Sequence, residues 1–486
     1  MNRGGPSGGA SHPPPASAKS LESVRLTRVL LSLWAGYAGY TMARRPFSVA
    51  RSEIEEETGI SKFASSSVDT AFLLCYTVAQ LMYGSYIKGR YSPRSILLAG
   101  LVGSALCCLI VALSSSGLMF TLAWGLNGCF QAAGWASCVT ILTPWLASSE
   151  RGRIMGIWGT NMAVGGILGN VITSYLMGRG FSWRWAVAAD VVILIAVAVY
   201  MGSTLIHHPN LAGFLSSQQS ADGLTWHDLT SDDGHFTVDG EFVPRVSGEL
   251  GNSKAANGNA TAAGPSSVGS GSEGRLSFGE TLRVPGIAAI SASYFFHKLV
   301  RYALMFWLPY YFNKELGYSI VAAGYMSASV DVGGVLGSVS AGFFSDWYAG
   351  GTRRAQATLF FVIGMAISTA LFVVMRGALV GSVAACCFVS GLTGFFAFAI
   401  DSLMSGSYLQ DYCERVNVIP YLGAISGVVG GIGAAGSIAS GYLTVALSGA
   451  SWNVLFSVLA AMTVFAGGLM WTPIRAEMMT PPSRKL

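Results

Sequence analysis

The chain runs to 486 residues, of which 52% belong to the hydrophobic set and only 11% are charged, with a formal net charge of +5. A soluble chain carries about a quarter charged residues, so this one has too little charge to hydrate a surface of its size, and lipid must be the solvent for most of it. The small net charge lies in short loops between apolar runs and points to no nucleic acid partner.

Taken in order, the first 25 residues are rich in Gly, Pro and Ser and lack an apolar core, so they read as a disordered cytosolic tail, not a signal peptide. A spanning helix needs about 20 mostly apolar residues. Such runs occur near 28–50, 65–87, 95–114, 117–145, 154–178 and 184–206, and resume near 285–313, 319–345, 355–375, 379–406, 419–447 and 452–474. The pattern predicts an all-α membrane protein with twelve transmembrane helices in two six-helix bundles, 26–207 and 284–475. Between them, 208–283 is rich in Ser, Gly, Asn and Asp and reads as a flexible linker; 476–486 reads as a second tail. The 61 glycines suit close helix packing. The eight cysteines fall in or beside apolar runs without zinc-ligand spacing, so no metal or cofactor is expected. The spans hold no nucleophile–base set, so an enzyme is not expected.

Orientation follows from lysines and arginines in the short loops. A cytosolic N-terminus puts Arg25, Arg28, Lys88, Arg90, Arg94, Arg151, Arg153, Arg353, Arg354, Arg415 and Arg475 inside. The outside receives Arg51, Lys62, Arg179, Arg184, Lys314 and Arg376, beside the acidic cluster Glu53 to Glu57. Both termini and the long linker are therefore expected in the cytosol, where the Asn259-Ala260-Thr261 sequon would stay unused.

An internal repeat runs through the chain. Tyr37, Tyr40 and Arg44 in the first run match Tyr294, His297 and Arg301 in the seventh, with the arginines 257 residues apart. Gly84 and Gly342 open the loops after the second and eighth runs, and Gly165, Gly166 and Gly169 answer to Gly430, Gly431 and Gly433. Near-constant offsets indicate a duplication of six helices, the arrangement that surrounds a central path.

Four cations sit within spans: Arg44 and Arg45 in the first, Lys298 and Arg301 in the seventh. Each costs about 2.5–3.5 kcal/mol at a helix centre even on the lenient insertion scale. Arg44 and Arg301 lie equally far from the starts of their runs, about 24 Å along the axis. The i, i+3, i+7 spacing places two polar rings and the arginine on one stripe of each helix. Asp331 is the mid-span carboxylate placed to pair with Lys298, whereas Asp69, Asp190 and Asp401 sit nearer helix ends and are less able to neutralise Arg44 and Arg301. Positive charge is left over, which an anionic solute would offset; guanidinium groups grip phosphate oxygens in pairs, so a phosphorylated small molecule is the natural candidate. Arg45 precedes Pro46 and is expected either to face the outer vestibule or to brace a kink. Gln131, Trp135 and Asn161 are candidates to line the path, with helix packing as their alternative role.

The run Gly36-Tyr37-Ala38-Gly39-Tyr40-Thr41-Met42-Ala43-Arg44-Arg45-Pro46 resembles the organophosphate:phosphate antiporter family of the major facilitator superfamily. So do Gly134-Trp135, Arg151-Gly152 with Gly156-Ile157-Trp158, Lys298-Leu299-Val300-Arg301-Tyr302, Trp307-Leu308-Pro309 and Asp331-Val332-Gly333-Gly334. In detail the chain is most similar to the eukaryotic sugar-phosphate exchangers, solute carrier family 37, whose relatives include endoplasmic-reticulum glucose-6-phosphate transporters. Gly342-Phe343-Phe344-Ser345-Asp346 with Arg353 and Arg354 resembles the superfamily's loop signature, in which Asp346 and Arg353 would act as a gating pair; the first copy has Lys88 where an aspartate is expected. The resemblance implies the major facilitator fold and an antiporter that exchanges a phosphorylated sugar or glycerol phosphate for inorganic phosphate. It implies binding at Arg44 and Arg301, to which the helix stripes and path-lining positions read above add Arg45, Lys298, Tyr37, Tyr40, Tyr294, His297, Gln131, Trp135 and Asn161 as candidates. A multi-pass protein of the endoplasmic reticulum or another endomembrane is expected. Departures are Gln80 and Met162, where a bacterial member carries lysine and histidine, and the presence of both Lys298 and Arg301. The alternative is a proton-coupled symporter, with Asp331 as its titrating carboxylate.

Overall fold

The computed structural model describes residues 16–82, 91–146, 154, 158–206, 234–236, 242–244, 277–348, 353–404, 407–418 and 421–479. The first-copy signature loop from Gly84 to Arg90, the Arg151-Gly152 and Gly156-Ile157 pieces and the Asn259 sequon lie outside the described residues. The first half is built from α1 (Ala16–Met42), α2 (Arg45–Val49), α3 (Arg51–Thr58), α4 (Lys62–Met82), α5 (Pro93–Leu113), α6 (Gly117–Ala132), α7 (Gly134–Leu142), α8 (Asn161–Gly178) and α9 (Trp183–Thr204). A small hairpin, β1 (Gly234–Phe236) with β2 (Phe242–Pro244), follows. The second half comprises α10 (Phe278–Arg283), α11 (Ile287–Tyr310), α12 (Ile320–Trp347), α13 (Arg354–Val374), α14 (Arg376–Gly381), α15 (Val383–Met404), α16 (Ser407–Arg415), α17 (Leu422–Ala450), α18 (Trp452–Leu469) and α19 (Trp471–Met479).

Among the described residues the fold is all-α apart from that hairpin, with six long helical segments in each half: α1, α4, α5, α6–α7, α8 and α9, then α11, α12, α13, α15, α17 and α18. Seven described helices are long and apolar enough to cross a membrane by length and composition, α5, α9, α12, α13, α15, α17 and α18–α19. Among the rest are α1, which ends just before Arg44 and Arg45, α11, which carries Lys298 and Arg301, and α4 and α8, which meet the other half. A helix that lines an interior path cannot be uniformly apolar. Leu113, Phe343 and Val374 are 78%, 76% and 79% exposed, an arrangement that only a lipid solvent makes favourable.

Several expected runs are interrupted, each for a local reason. The first ends as a helix at Met42 and restarts at Arg45, because Pro46 has no N–H to give the carbonyl of Met42. That carbonyl lies 2.6 Å from the position a Cβ on Gly169 would take, so only glycine lets α8 pass this close to the break. The seventh run carries Pro309 and continues as a π turn, Tyr311–Glu315. The fourth breaks at Ala133 and the tenth at Ser382. The expected flexible linker, 208–283, ends in structure: Ser277 and Glu280 form a reciprocal capping box that starts α10.

Within each half the helices pack on one another; between halves the main seams are α12 against α8 and α17 against α4. Besides the Arg45–Asp331 and Asn170–Asp331 hydrogen bonds across the seam, those that join the halves among the described residues gather at one end. They run from Ser48 Oγ to the Phe306 carbonyl (2.7 Å), Lys62 Nζ to Ser448 Oγ (2.7 Å) and Tyr442 to Ser67 (3.2 Å), with Lys314 paired to Glu56. The halves are thus closed at the end that holds α2 and α3.

Candidate functional site

Arg44 stands in the gap between α1 and α2 and is 8% exposed. Its Nε donates to Gln131 Oε1 at 2.7 Å, and the guanidinium lies 5.1 Å from the ring centre of Phe72 and 5.5 Å from that of Tyr76. Gln131 is oriented by its own donors, since Nε2 gives to Ser104 Oγ and Asn127 Oδ1, both at 3.0 Å. Only the oxygen remains for the arginine. Arg44 has no carboxylate within ion-pair distance among the described residues, and its Nη2 is buried without a hydrogen-bond partner there. A buried cation held by a neutral amide keeps its full charge.

In the second half one face of α11 converges on a single carboxylate. Tyr294, His297, Lys298 and Arg301 recur at helical spacing, and all four reach Asp401 on α15. Lys298 Nζ is 2.9 Å from Oδ1, the Tyr294 hydroxyl donates to Oδ1 at 3.0 Å, His297 Nε2 is 3.5 Å away, and Arg301 Nη1 bonds Oδ2. The Arg301 guanidinium also stacks 4.2 Å from the Phe398 ring centre. This corrects two expectations: Lys298 pairs with Asp401 instead of Asp331, and Asp401 does reach Arg301. Helical side chains lean toward their own N-terminus. On α11 that is the end near which α15 finishes, so long cations reach a carboxylate that looks too close to its helix end.

Asp331 pairs with Arg45 across the seam, Nη2 to Oδ1 at 2.6 Å, and accepts from Asn170 Nδ2 at 3.3 Å. Arg45 therefore neither faces a vestibule nor merely braces a kink; it ties α2 to α12. Tyr37 packs edge-on to Trp135 (5.4 Å) and is tilted against Trp158 (6.0 Å), forming an aromatic wall beside Arg44. Tyr40 departs from the expectation of lining the site, because its hydroxyl donates to the Leu97 carbonyl at 2.9 Å and locks α1 to α5. Asn161 is fully buried at the start of α8, with neither amide atom hydrogen-bonded among the described residues. The expected gating partner of Asp346 is corrected as well: it is Arg354, at 2.9 Å, which also reaches Asp411 at 2.7 Å, and not Arg353. Arg353 caps α13 from a non-helical conformation, so its neighbour one residue on points at the carboxylates.

The two clusters approach one another at Tyr76. Tyr76 is within electrostatic reach of Arg44 from its own half and of Lys298 and Tyr302 from the other. A small pocket, with room for about one water, lies beside Arg301, Asp331 and Phe398.

Some contributors were not legible in the sequence. Arg51, expected in an outer loop, is buried, paired with Asp69 and stacked 4.2 Å from the Trp307 ring centre. Lys62 sits among Trp307, Tyr310 and Trp452 at 5.6, 5.1 and 5.0 Å. Two cations of the first half thus seat on aromatic rings of the second at the closed end. The nearby Glu55 carboxyl is pushed up by burial, against the opposing pull of Arg51.

Residues 33–417 match the Major Facilitator Superfamily. The chain belongs to that superfamily. Among relatives of this Major Facilitator Superfamily chain, a putative glycerol-3-phosphate transporter of Arabidopsis thaliana is 27% identical, covering 94% of this chain and 92% of the relative. A glucose-6-phosphate exchanger of Xenopus tropicalis is 25% identical over 93% of each chain, and sugar phosphate exchanger 3 of Gallus gallus is 26% identical over 81% of this chain and 76% of its own. These are relatives of the kind that the motifs around Arg44 and Arg301 resemble. The structure of a bacterial homologue of the human lysosomal transporter Spinster superposes with a TM-score of 0.62 at 13% identity, over 94% of this chain and 99% of that one. It agrees in fold. This member of the Major Facilitator Superfamily is an integral, multi-pass membrane protein.

Proposed function

We propose that the chain exchanges a phosphorylated sugar or glycerol phosphate for inorganic phosphate by alternating access of its two halves, and that it transports without catalysing a reaction. The observation that carries this is Arg44, a buried guanidinium with no carboxylate partner among the described residues. Lys298 and Arg301 add to it by sharing one carboxylate. With Arg45 balanced by Asp331, the four cations and two carboxylates leave one uncompensated positive charge in each half. A phosphate monoester near neutral pH carries about 1.5 to 2 negative charges and offers oxygens that suit guanidinium forks. The relatives named as glycerol-3-phosphate transporters and sugar-phosphate exchangers support the same substrate class.

Arg44 and Arg301 are assigned the anion, assisted by Lys298, Tyr294 and His297, while Tyr37 and Trp135 provide a wall for the organic part. An anion gripped from both halves favours the state in which they approach, and differential affinity of this kind is what drives a conformational equilibrium. Without it the two like charges resist approach, which makes exchange obligatory. The membrane is proposed to be the endoplasmic reticulum or another endomembrane, with both termini and the 208–283 segment in the cytosol; protease protection of that segment in sealed microsomes would reverse the orientation. The decisive experiment is reconstitution into phosphate-loaded vesicles, comparing uptake of glucose 6-phosphate, glycerol 3-phosphate and phosphoenolpyruvate. Uptake that requires internal phosphate is expected; uptake driven by a pH gradient without it would favour the symporter.

A further inference from the structure

The two cation clusters are held in different ways. Arg44 is met by an amide oxygen, whereas Lys298 and Arg301 end on Asp401. The guanidinium, ammonium, phenol and imidazole gathered round Asp401 are the donors that a phosphate group would recruit. Each N–H that ends on Asp401 is withheld from a phosphate oxygen, so the two acceptors compete for the same cations. The Lys298 and Asp401 side chains are also the more accessible of these charges, 18% and 15% exposed against 5% for Arg301.

We propose that Asp401 is a tethered competitor for the transported phosphate and a determinant of specificity: it occupies the second-half cations when the anion site is open and yields them when phosphate binds. This rests on the exchange reading above. Being tethered, Asp401 acts at a high effective concentration. A solute carboxylate brings no more charge than Asp401 itself and gains little by replacing it. A phosphate dianion brings a second charge and a further oxygen, and a first contact with Arg44 that Asp401 does not make. The carboxylate thereby rejects simple carboxylates, and it lowers phosphate affinity to a level from which release is fast.

The test is phosphate–phosphate homoexchange in reconstituted vesicles for wild type, Asp401→Asn and Asp401→Glu, at matched protein levels. Asp401→Asn is expected to lower the half-saturating phosphate concentration about tenfold, as removal of a tethered competitor should, and to slow maximal exchange. It should also let D-glycerate inhibit, which it should not do in wild type. Asp401→Glu should restore wild-type behaviour. An unchanged or raised half-saturation in Asp401→Asn, with D-glycerate still inert, overturns the proposal. If that variant does not fold, wild-type protein labelled with ¹³C-carboxyl aspartate serves: phosphate addition should shift an aspartate carboxylate band in the infrared difference spectrum, and no shift overturns the idea. Absence of homoexchange in wild type would instead remove the exchange reading, and this inference with it.

Discussion

Arg45 and Asp331 are 286 positions apart, yet Arg45 Nη2 lies 2.6 Å from Asp331 Oδ1, and this buried ion pair joins the two halves. Removing one partner leaves a buried charge without compensation, which typically costs about 3–5 kcal/mol. Arg45→Gln and Asp331→Asn should each lower the thermal midpoint and impair exchange, while the double variant recovers part of the loss. Lys298→Gln combined with Asp331→Asn should show no such recovery, because those residues have different partners. A double-mutant cycle on thermal midpoints in detergent distinguishes the two patterns.

Arg44 and Arg301 should not tolerate lysine, which keeps the charge but loses the planar fork. Arg44→Lys and Arg301→Lys are each expected to reduce phosphate homoexchange by about tenfold or more, for the loss of one charged hydrogen bond. Gln131→Glu tests the same idea from the other side. It places a carboxylate against the Arg44 Nε that now meets an amide oxygen at 2.7 Å, so the positive charge is neutralised and phosphate uptake should fall although no arginine has changed. Near-normal exchange in all three would make these arginines structural.

Gly166 makes room for the ion pair. A Cβ there would lie 2.5 Å from Arg45 Nη2 and 2.6 Å from the Asp331 carboxyl carbon. Gly166→Ala should therefore separate the pair and cost about 1–3 kcal/mol, as overpacking does. Its repeat counterpart Gly431 has open space around it, so Gly431→Ala should be neutral or mildly stabilising. Thermal midpoints of the two variants give the comparison.

The Glu57 carboxyl on α3 shows a pH effect of definite sign. Burial alone would raise it, but the Arg184 guanidinium at 2.9 Å and the Trp183 indole N–H at 2.6 Å outweigh that and hold it below its ordinary 4.5. A carboxyl lowered in the folded state contributes stability that is fully present above its ordinary value and is lost as pH falls through the lowered one. Acidification below 4.5 should thus lower the thermal midpoint of wild type more than that of Glu57→Gln. Equal slopes in the two proteins would count against the pairing.

Much of the molecule could be read from the sequence because the deciding physics is local. About 20 apolar residues suffice to cross a bilayer, so the crossings followed from composition, and the offset between Arg44 and Arg301 disclosed the duplication. The cations of the site were equally visible, since a charge in an apolar run is conspicuous wherever it lies. Their partners were not. Asp401 lies three residues from the end of α15, and only the lean of the α11 side chains toward that end brings Lys298 and Arg301 to it. Pairing Asp331 with Lys298 was reasonable by depth alone; the approach of α8 to the break after Met42, through Gly166 and Gly169, instead brings Arg45 to Asp331. Tyr40 looked like a site residue because spacing along one helix says which side chains share a face, not which neighbour that face meets. Which residues are charged and where they enter the membrane was determined by the sequence alone. Which of those charges is left uncompensated was decided by tertiary structure, because ion pairing depends on distances of a few ångströms between helices that lie far apart in the chain.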